Sequence, residues 1–179
     1  MPISHKTKNL MIRYKGVLDL EGLYRVIVQW LKARRYWFHE TTYKHKVPGP
    51  FGAEEEIRFK AERKCTEYYR HDVMIYFHIY EQQEVEVIKE GKKQKLIKCK
   101  LQIVIEGTLV CDYQGRFDKT AFSQKLRQFA HDHLIKHQVE DVWYDELQYR
   151  MIKLQAIIKD YIDMQTKSHA YEGYLGDTG

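Results

Sequence analysis

An alternation of apolar and polar residues, interrupted at Glu81 and Gln83, runs through two neighbouring segments of the chain, residues 73–88 and 96–111. In the first segment the apolar residues occupy odd positions, namely Val73, Ile75, Phe77, Ile79, Val85 and Val87. In the second they are again odd, namely Ile97, Cys99, Leu101, Ile103, Ile105, Leu109 and Cys111. A period of two is typical of a strand with one buried face. The pattern therefore predicts a long antiparallel hairpin that turns within EGKKQK, residues 90–95.

The register of this hairpin follows from the same parity. Pairing odd with odd residues keeps both apolar sets on one face, whereas a slip by one residue inverts a whole face. We expect Val87 to pair with Ile97, because this register also places opposite charges across from each other. The charged pairs it predicts are Glu84 with Lys100 and Glu86 with Lys98. A similar pattern before residue 70 predicts another strand, a turn near residues 70–72 and a pairing of Cys65 with Phe77.

Helical spacing appears before and after these strands. Asp19 is a suitable N-cap for an amphipathic helix over about residues 21–34, and a β-prone run follows from Tyr36 to Lys46. A second helix is expected after Asp118, and a long last helix over about residues 139–165. The apolar residues of the last helix step by four and three, in the series Leu147, Met151, Leu154, Ile158 and Tyr161.

This order of elements predicts an α+β fold, in which an antiparallel sheet of about four to five long strands is covered on one face by helices. We expect a flexible N-terminus over residues 1–9, a single domain over 10–166 and a disordered tail over 167–179. The order of elements resembles the helix-grip arrangement of START-like ligand-binding proteins. The resemblance is one of topology alone, and it implies a small-molecule carrier as one alternative function.

Composition narrows the functional classes. The three cysteines, Cys65, Cys99 and Cys111, form no CxxC motif, which indicates a reducing compartment and predicts a cytoplasmic protein. We expect no signal peptide and no membrane partner, because no run approaches the ~18 apolar residues of a membrane span. P-loop, GxGxxG and GxSxG motifs are absent from the sequence, so we predict no cofactor.

Charge is unevenly distributed along the chain. Residues 1–47 contain ten Lys or Arg and three acidic residues, a charge of +7, although the whole chain carries only +5. Aromatic residues interleave with this basic segment, and cations with aromatic rings suit single-stranded nucleic acid. The predicted nucleic-acid contacts are Arg34, Arg35, Trp37, Lys44 and Lys46. Residues 139–179 contain four basic and eight acidic residues, so contact between the two ends of different copies would favour a homodimer.

We therefore expect a non-catalytic binding or assembly module that contacts a protein, itself included, or single-stranded nucleic acid. An uncovered apolar stripe on the distal hairpin, which includes Val85 and Leu101, also favours self-association. Two alternatives stay open. An enzyme would use the predicted sheet-face group of His78, Glu106, Tyr76 and Tyr80. A carrier would use the polar residues that parity places on the buried face, namely Arg63, Glu67, Glu81 and Gln83.

Metal binding is not predicted. His133 and His137 stand four residues apart, a spacing that can place two imidazoles on one face of a helix. The sequence contains no HExxH motif and no cysteine cluster to complete a zinc site, so we expect His133 to be a structural histidine at the edge of an apolar stripe.

Overall fold

The computed structural model describes residues 3–49, 52–89, 92–115, 125 and 142–162, which form six strands and two helices. The strands are β1 (Ile3–Lys6), β2 (Leu10–Leu18), β3 (Trp37–Gly49), β4 (Gly52–Lys64), β5 (Tyr69–Lys89) and β6 (Lys92–Cys111). The helices are α1 (Leu20–Ala33) and α2 (Asp145–Tyr161). Three predictions fall outside the described residues: the helix after Asp118, the pair His133 and His137, and the disordered tail. Only residue 125 of that helix is described, and it is helical.

All six strands belong to one antiparallel sheet, which confirms the predicted α+β class. Strands β3, β4, β5 and β6 are neighbours in that order, and β1 and β2 share the far edge of β6. Strand β2 pairs with residues 97–105 of β6, and β1 pairs with residues 108–111. The sequence placed residues 3–6 in a flexible N-terminus, whereas the structure pairs them as an edge strand.

One face of the sheet, which we call the inner face, forms the core with both helices. The alternating residues predicted to be buried lie there, including Ile75, Ile79, Leu101 and Ile103, each at most 2% exposed. The helices contribute the apolar positions that their spacing predicted, namely Leu23, Ile27 and Leu31 from α1 and Leu147, Met151, Leu154 and Ile158 from α2. The expected exposed stripe consists of Val85, Val87, Ile97, Cys99 and Leu101, and two of these five, Cys99 and Leu101, are core residues already covered within one chain.

Helix α2 approaches β6 closely at Gly107. A Cβ atom on this glycine would lie 2.3 Å from the Sδ atom of Met151 and 2.7 Å from the Oγ1 atom of Thr7. The Thr7 hydroxyl lies 3.2 Å from the Gly107 carbonyl oxygen, to which it donates. The absence of a side chain at residue 107 therefore sets the distance between helix and sheet.

The two helices also meet at their ends through one carboxylate. Asp19 is the N-cap of α1, as predicted, and its Oδ1 atom accepts from the Gly22 backbone N–H at 2.9 Å. Its Oδ2 atom accepts from the Tyr161 hydroxyl at the end of α2, at 3.2 Å. A single side chain thus caps one helix and fixes the end of the other.

The predicted registers of both hairpins are wrong, although the parity is correct over the body of the sheet. Strand β5 pairs Ile75 with Ile105 and Ile79 with Leu101, so odd residues do meet odd residues there. Val87, however, pairs with Gln94 rather than Ile97. The pairing continues to Lys89 and Lys92, so both strands extend further into the expected turn segment than predicted. Charged residues also meet different partners, because Glu86 pairs with Lys95 and Lys98 with Gln83.

The hairpin of β4 and β5 shows the same kind of error. Phe77 pairs with Ile57 instead of Cys65, because the turn lies between Lys64 and Tyr69 and not at residues 70–72. The Thr66 hydroxyl forms this turn by accepting from the backbone N–H groups of Tyr68 and Tyr69. A threonine side chain therefore supplies the turn that no glycine or proline marks.

A bulge at Glu81 breaks the alternation of β5. Tyr80 pairs with Lys100 and Gln83 with Lys98, so two residues of β5 lie opposite one residue of β6. The φ angle of Glu81 is 52°, in the left-handed region that favours glycine. Beyond the bulge, odd residues of β5 no longer face the core, so the predicted inner position of Gln83 is wrong and its side chain is exposed.

No helix among the described residues is long and apolar enough to cross a membrane. This finding concerns α1 and α2, which pack on the sheet through their apolar faces.

Replacing Glu81 should reveal the cost of its left-handed backbone. Glu81→Gly should be about 1 kcal/mol more stable than Glu81→Ala. Both variants lack the charge, but only alanine has a Cβ atom, which is strained at this φ. Urea unfolding of Glu81→Gly and Glu81→Ala measures the difference. Equal stabilities of the two variants would show that the bulge imposes no strain on a side chain.

Candidate functional site

The outer face of the sheet, opposite the helices, presents a row of cations. Lys15 of β2 and Lys100 of β6 are direct partners across the two strands. Lys15 is exposed, and the Lys100 side chain is 45% exposed. The neighbouring outer positions carry Arg13 on β2 and Lys98 on β6, and both are exposed. We call Arg13, Lys15, Lys98 and Lys100 the cationic row.

Two open clefts lie along the cationic row. One has a volume of about 400 Å³ and is lined by Lys15, Lys98 and Lys100 together with Glu81 and Gln83 of the bulge. The other, of about 340 Å³, extends the same surface to Arg13, Tyr80 and Gln102. Lys15 and Lys100 line both clefts. The bulge thus opens the sheet surface next to the cations, and Glu81 forms an ion pair with Lys100 there.

Aromatic rings continue the outer face from the cationic row onto β5. Tyr80 is the strand partner of Lys100, and its ring centroid lies 3.7 Å from that of His78 at an interplanar angle of 31°. The Tyr76 ring follows at 5.8 Å from His78, and the Arg58 guanidinium lies 5.0 Å from the Tyr76 centroid. Cations and stackable rings therefore alternate over three adjacent strands.

The register predicted from Val87 and Ile97 also places His78 opposite Glu106, and this pairing is wrong. His78 pairs with Gln102, whereas Glu106 pairs with Met74 and accepts a hydrogen bond from Asn9 at 3.2 Å. The four-residue shift in register separates the two side chains. The carboxylates near His78 come instead from β4, where Glu54 and Glu56 lie on the same face.

Glu54 is held by two partners on the outer face. Its Oε1 atom lies 2.6 Å from the Nε2 atom of His78 and 2.8 Å from the Nζ atom of Lys46. The hydrogen bond from Lys46 lowers the pKa of the Glu54 carboxyl, and the hydrogen bond from His78 lowers it further. Glu56 lies close to the same groups, 3.9 Å from Lys46 and 4.0 Å from His78.

The structure separates the five predicted nucleic-acid contacts into two groups. Arg34 and Arg35 follow α1, where the Arg34 guanidinium lies 4.4 Å from the Trp30 ring centroid. Trp37 opens β3 on the outer face with 66% of its surface exposed. Lys46 is nine residues further along β3, about 30 Å away at the rise of a strand. Lys46 forms an ion pair with Glu54, and Lys44 is the strand partner of Glu56.

The four residues of the predicted ligand pocket also lie at opposite ends of the sheet. Arg63 binds Glu146 of α2, with an Nη1–Oε1 distance of 3.0 Å, and Glu67 is exposed in the turn between β4 and β5. Glu81 and Gln83 line the larger cleft about 40 Å from that turn, again by the rise per strand residue. They contribute to a cationic cleft on the outer face instead of an inner pocket.

A partly buried polar cluster lies under the start of α2 and is distinct from the outer surface. We call Arg63, His71, Glu146 and Arg150 the inner cluster. Burial alone would raise the pKa of the Glu146 carboxyl, but hydrogen bonds from Arg63 and Arg150 lower it. His71 is fully buried and donates from Nε2 to the Trp143 carbonyl oxygen at 3.1 Å. Burial lowers the pKa of His71 to about 4.

Lowering the pH should destabilise the protein through His71. An unfolded histidine titrates near 6.5, so the unfolded chain binds more protons between pH 6.5 and the folded pKa of about 4. Stability is therefore full above pH 6.5 and falls with acidification, by about 2 kcal/mol at pH 5 from this residue. Urea unfolding at pH 7.5 and pH 5.0 measures the loss. The variant His71→Gln should lose less stability between the two pH values; equal losses would exclude His71 as the origin.

The three cysteine thiols are unsuited to act as nucleophiles. Burial raises the pKa of Cys65 and Cys99 to about 11 and that of Cys111 to about 12. None of them is in a disulfide. At neutral pH these groups are protonated, and a protonated thiol is a poor nucleophile and a poor metal ligand.

The cationic row was not predicted from the sequence. Lys98 and Lys100 were expected on the polar face of the sheet, but paired with glutamates of β5. Their proximity to Lys15 depends on the pairing of β2 with β6, two strands separated by about eighty residues of chain. The alternation over residues 11–17 places Lys15 on the polar face of its strand. It does not identify which other strand lies beside it.

Comparison with known proteins gives no family for this chain. A scan against models of protein families finds none that matches, and a search of curated proteins finds no similar sequence. The function proposed below therefore rests on the geometry of the outer face.

Proposed function

We propose that this protein is a non-catalytic module that binds single-stranded nucleic acid on the outer face of its sheet, with the cationic row at the centre. The observation that carries the proposal is the direct pairing of Lys15 with Lys100. Like charges directly opposite each other destabilise an antiparallel pair. A phosphate group between the two ammonium groups would convert this repulsion into attraction.

The surroundings of the pair support a polyanion over a small isolated anion. Arg13 and Lys98 extend the charge to both sides along two strands. Glu81 offsets part of the charge of Lys100, but the described residues that line the two clefts contribute four cations and one acidic side chain. A backbone of regularly spaced phosphates can contact several of these cations at once.

The aromatic rings supply a second kind of contact. Tyr80 lines a cleft with Lys100 and stacks on His78, so its ring is close to any phosphate bound by the cationic row. Base–aromatic stacking contributes about 1–3 kcal/mol per base and requires no particular base sequence. We therefore propose binding of low sequence specificity, with the strand passing from the cationic row towards Tyr80.

The remaining parts of the sequence-based expectation belong to the same proposal. Three free cysteines fit a reducing compartment, so we place the module in the cytoplasm. Self-association has weaker support than the sequence indicated, because Leu101 and Cys99 of the expected contact stripe are buried within one chain. Arg34, Arg35 and Trp37 would serve as a second contact for a longer strand, at the opposite edge of the sheet.

Charge reversal at Lys15 tests this proposal. Lys15→Glu should weaken binding to a labelled mixed-sequence DNA strand of about 20 nucleotides at least tenfold, measured by fluorescence anisotropy at low salt. The same change should stabilise the fold by up to ~1 kcal/mol, because a carboxylate on this strand would face the Lys100 ammonium as an opposite charge. For the unchanged protein, the affinity should fall with salt with a logarithmic slope of about −3, as expected when four cations contact phosphates.

The matched control is Lys32→Glu on α1, which makes the same charge change at an exposed position on the helix side of the sheet. This variant should retain most of the binding. Equal losses in Lys15→Glu and Lys32→Glu would indicate a non-specific effect of net charge and contradict the proposed surface. Loss of binding only in a double variant of Arg34→Glu and Arg35→Glu would place the interface at the other edge.

A further inference from the structure

We propose a second site on the outer face, in which Glu54, Glu56 and His78 bind one divalent transition-metal ion of the zinc class. It goes beyond the nucleic-acid function and does not depend on it. Each residue offers one ligand atom, and these three atoms all lie within 4.8 Å of one another. Among the described residues this is the one group of three or more potential ligands that meets so closely.

Two paired strands bring the ligands together. Glu56 and His78 are direct partners across β4 and β5, on the outer face. Glu54 is two residues before Glu56 on β4, and the irregularity between Ala53 and Glu55 lies at this point of the pairing. Residues on paired strands have backbones fixed by the hydrogen bonds of the sheet. The convergence is therefore a property of a rigid scaffold and not of a mobile loop.

The distances between the ligand atoms suit a metal ion. In a tetrahedral site with metal–ligand bonds of about 2.1 Å, the ligand atoms are separated by about 3.4 Å. The Nε2 atom of His78 lies 2.6 Å from Glu54 Oε1 and 4.0 Å from Glu56 Oε1, so the observed separations bracket this value. Shifts of less than about 1 Å, within the reach of glutamate rotamers, would equalise them.

Lys46 now occupies the place that a cation would take. Its Nζ atom lies 2.8 Å from Glu54 Oε1 and 3.9 Å from Glu56 Oε1, between the two carboxylates. The Lys46 side chain is 57% exposed and comes from the neighbouring strand β3. It can therefore turn into solvent without disturbing the core. A divalent ion would replace one positive charge by two, and would have the imidazole nitrogen as an additional ligand.

The ligand set selects the class of metal. One imidazole and two carboxylates form a mixed nitrogen and oxygen set, which suits Zn²⁺ and its spectroscopic substitute Co²⁺. Mg²⁺ and Ca²⁺ prefer sites made of oxygen ligands only. Three protein ligands leave a fourth tetrahedral position for water. The Tyr80 ring stacks on His78, which restricts the orientation of the imidazole.

Titration with Co²⁺ and Zn²⁺ in the absence of nucleic acid tests this site. Co²⁺ should bind with one equivalent at a site that gives the visible absorption of low-coordinate cobalt, and Zn²⁺ should displace it. The starting protein for every variant should carry His133→Gln and His137→Gln, which removes the other histidine pair of ligand spacing. His78→Ala should weaken binding more than tenfold in this background.

Lys46→Ala distinguishes a metal site from an ion-pair network. Removal of the competing ammonium should tighten Co²⁺ binding about tenfold, because the ion no longer displaces a charge from Glu54. Lys60→Ala is the matched control, since Lys60 also pairs with a carboxylate of β4, Glu62, at 2.6 Å. His45→Ala is a second control, because His45 bonds Glu55 at 3.0 Å and has no place in the three-ligand group.

The outcomes separate clearly. Binding that is lost in His78→Ala, strengthened in Lys46→Ala and unchanged in both controls supports the site. Two results would overturn it. One is Co²⁺ affinity that does not change in His78→Ala, and the other is Co²⁺ affinity in Lys46→Ala that is no higher than in the starting protein. Binding of Mg²⁺ as tight as that of Zn²⁺ would also overturn it, because the imidazole would then contribute nothing. Failure of these titrations leaves the Lys15→Glu result unaffected, since that variant retains all three ligands.

Discussion

Among the described residues, helices cover only one face of the sheet, and this constraint determines how the rest of the described structure is arranged. Two helices cover the inner face, where Ile75, Ile103 and their neighbours exclude water. Successive residues of a strand point to opposite sides. Every buried residue of β4, β5 and β6 therefore commits its neighbours to the outer face. The side chains on the outer face must be compatible with water, but packing does not fix their identities. Charged and aromatic residues can therefore serve binding on that face.

Local pattern was sufficient to predict the two helices that the structure describes and the buried face of the sheet, because both depend on the spacing of residues close in sequence. The cap at Asp19 and the stripe through Leu147 and Ile158 follow from helical periodicity, and the inner residues follow from alternation. Within an uninterrupted strand, parity fixes which face a residue occupies, but it does not fix register. Registers that differ by two or four residues keep the same faces together, and His78 was assigned Glu106 instead of Gln102 for that reason.

Two features of the sheet lay beyond sequence reasoning. A bulge inserts a residue without changing the chemistry of the sequence, and the left-handed Glu81 is not a glycine that would have marked it. The neighbours of a strand across the sheet also depend on long-range topology. Lys15 meets Lys100, and His78 meets Glu54, only because β2 pairs with β6 and β4 with β5 in the observed registers. Both candidate sites are built from such contacts between strands.

Burial gives similar residues different roles on the two faces. Arg63 and Glu146 form an ion pair under α2, where burial makes a lone charge costly and the pair serves to attach the helix to the sheet. Lys100 and Glu81 form an equivalent pair in solvent, where an exposed ion pair contributes little to stability and can exchange partners. The same combination of charges is therefore structural on the inner side and available for binding on the outer side.

The pairing of β1 and β2 with β6 has a consequence for the synthesis of the chain. The first two strands leave the ribosome roughly 80 to 110 residues before their partner positions on the strand that completes their hydrogen bonds. The delay is longer still for the Asp19 carboxylate, because its partner, the Tyr161 hydroxyl, lies 142 residues further along the chain. Contacts between such distant segments slow folding, because a long loop must close before they form. The amino-terminal elements can reach their final state only after most of the protein has been made, so until then their apolar residues depend on local collapse or on chaperones for protection.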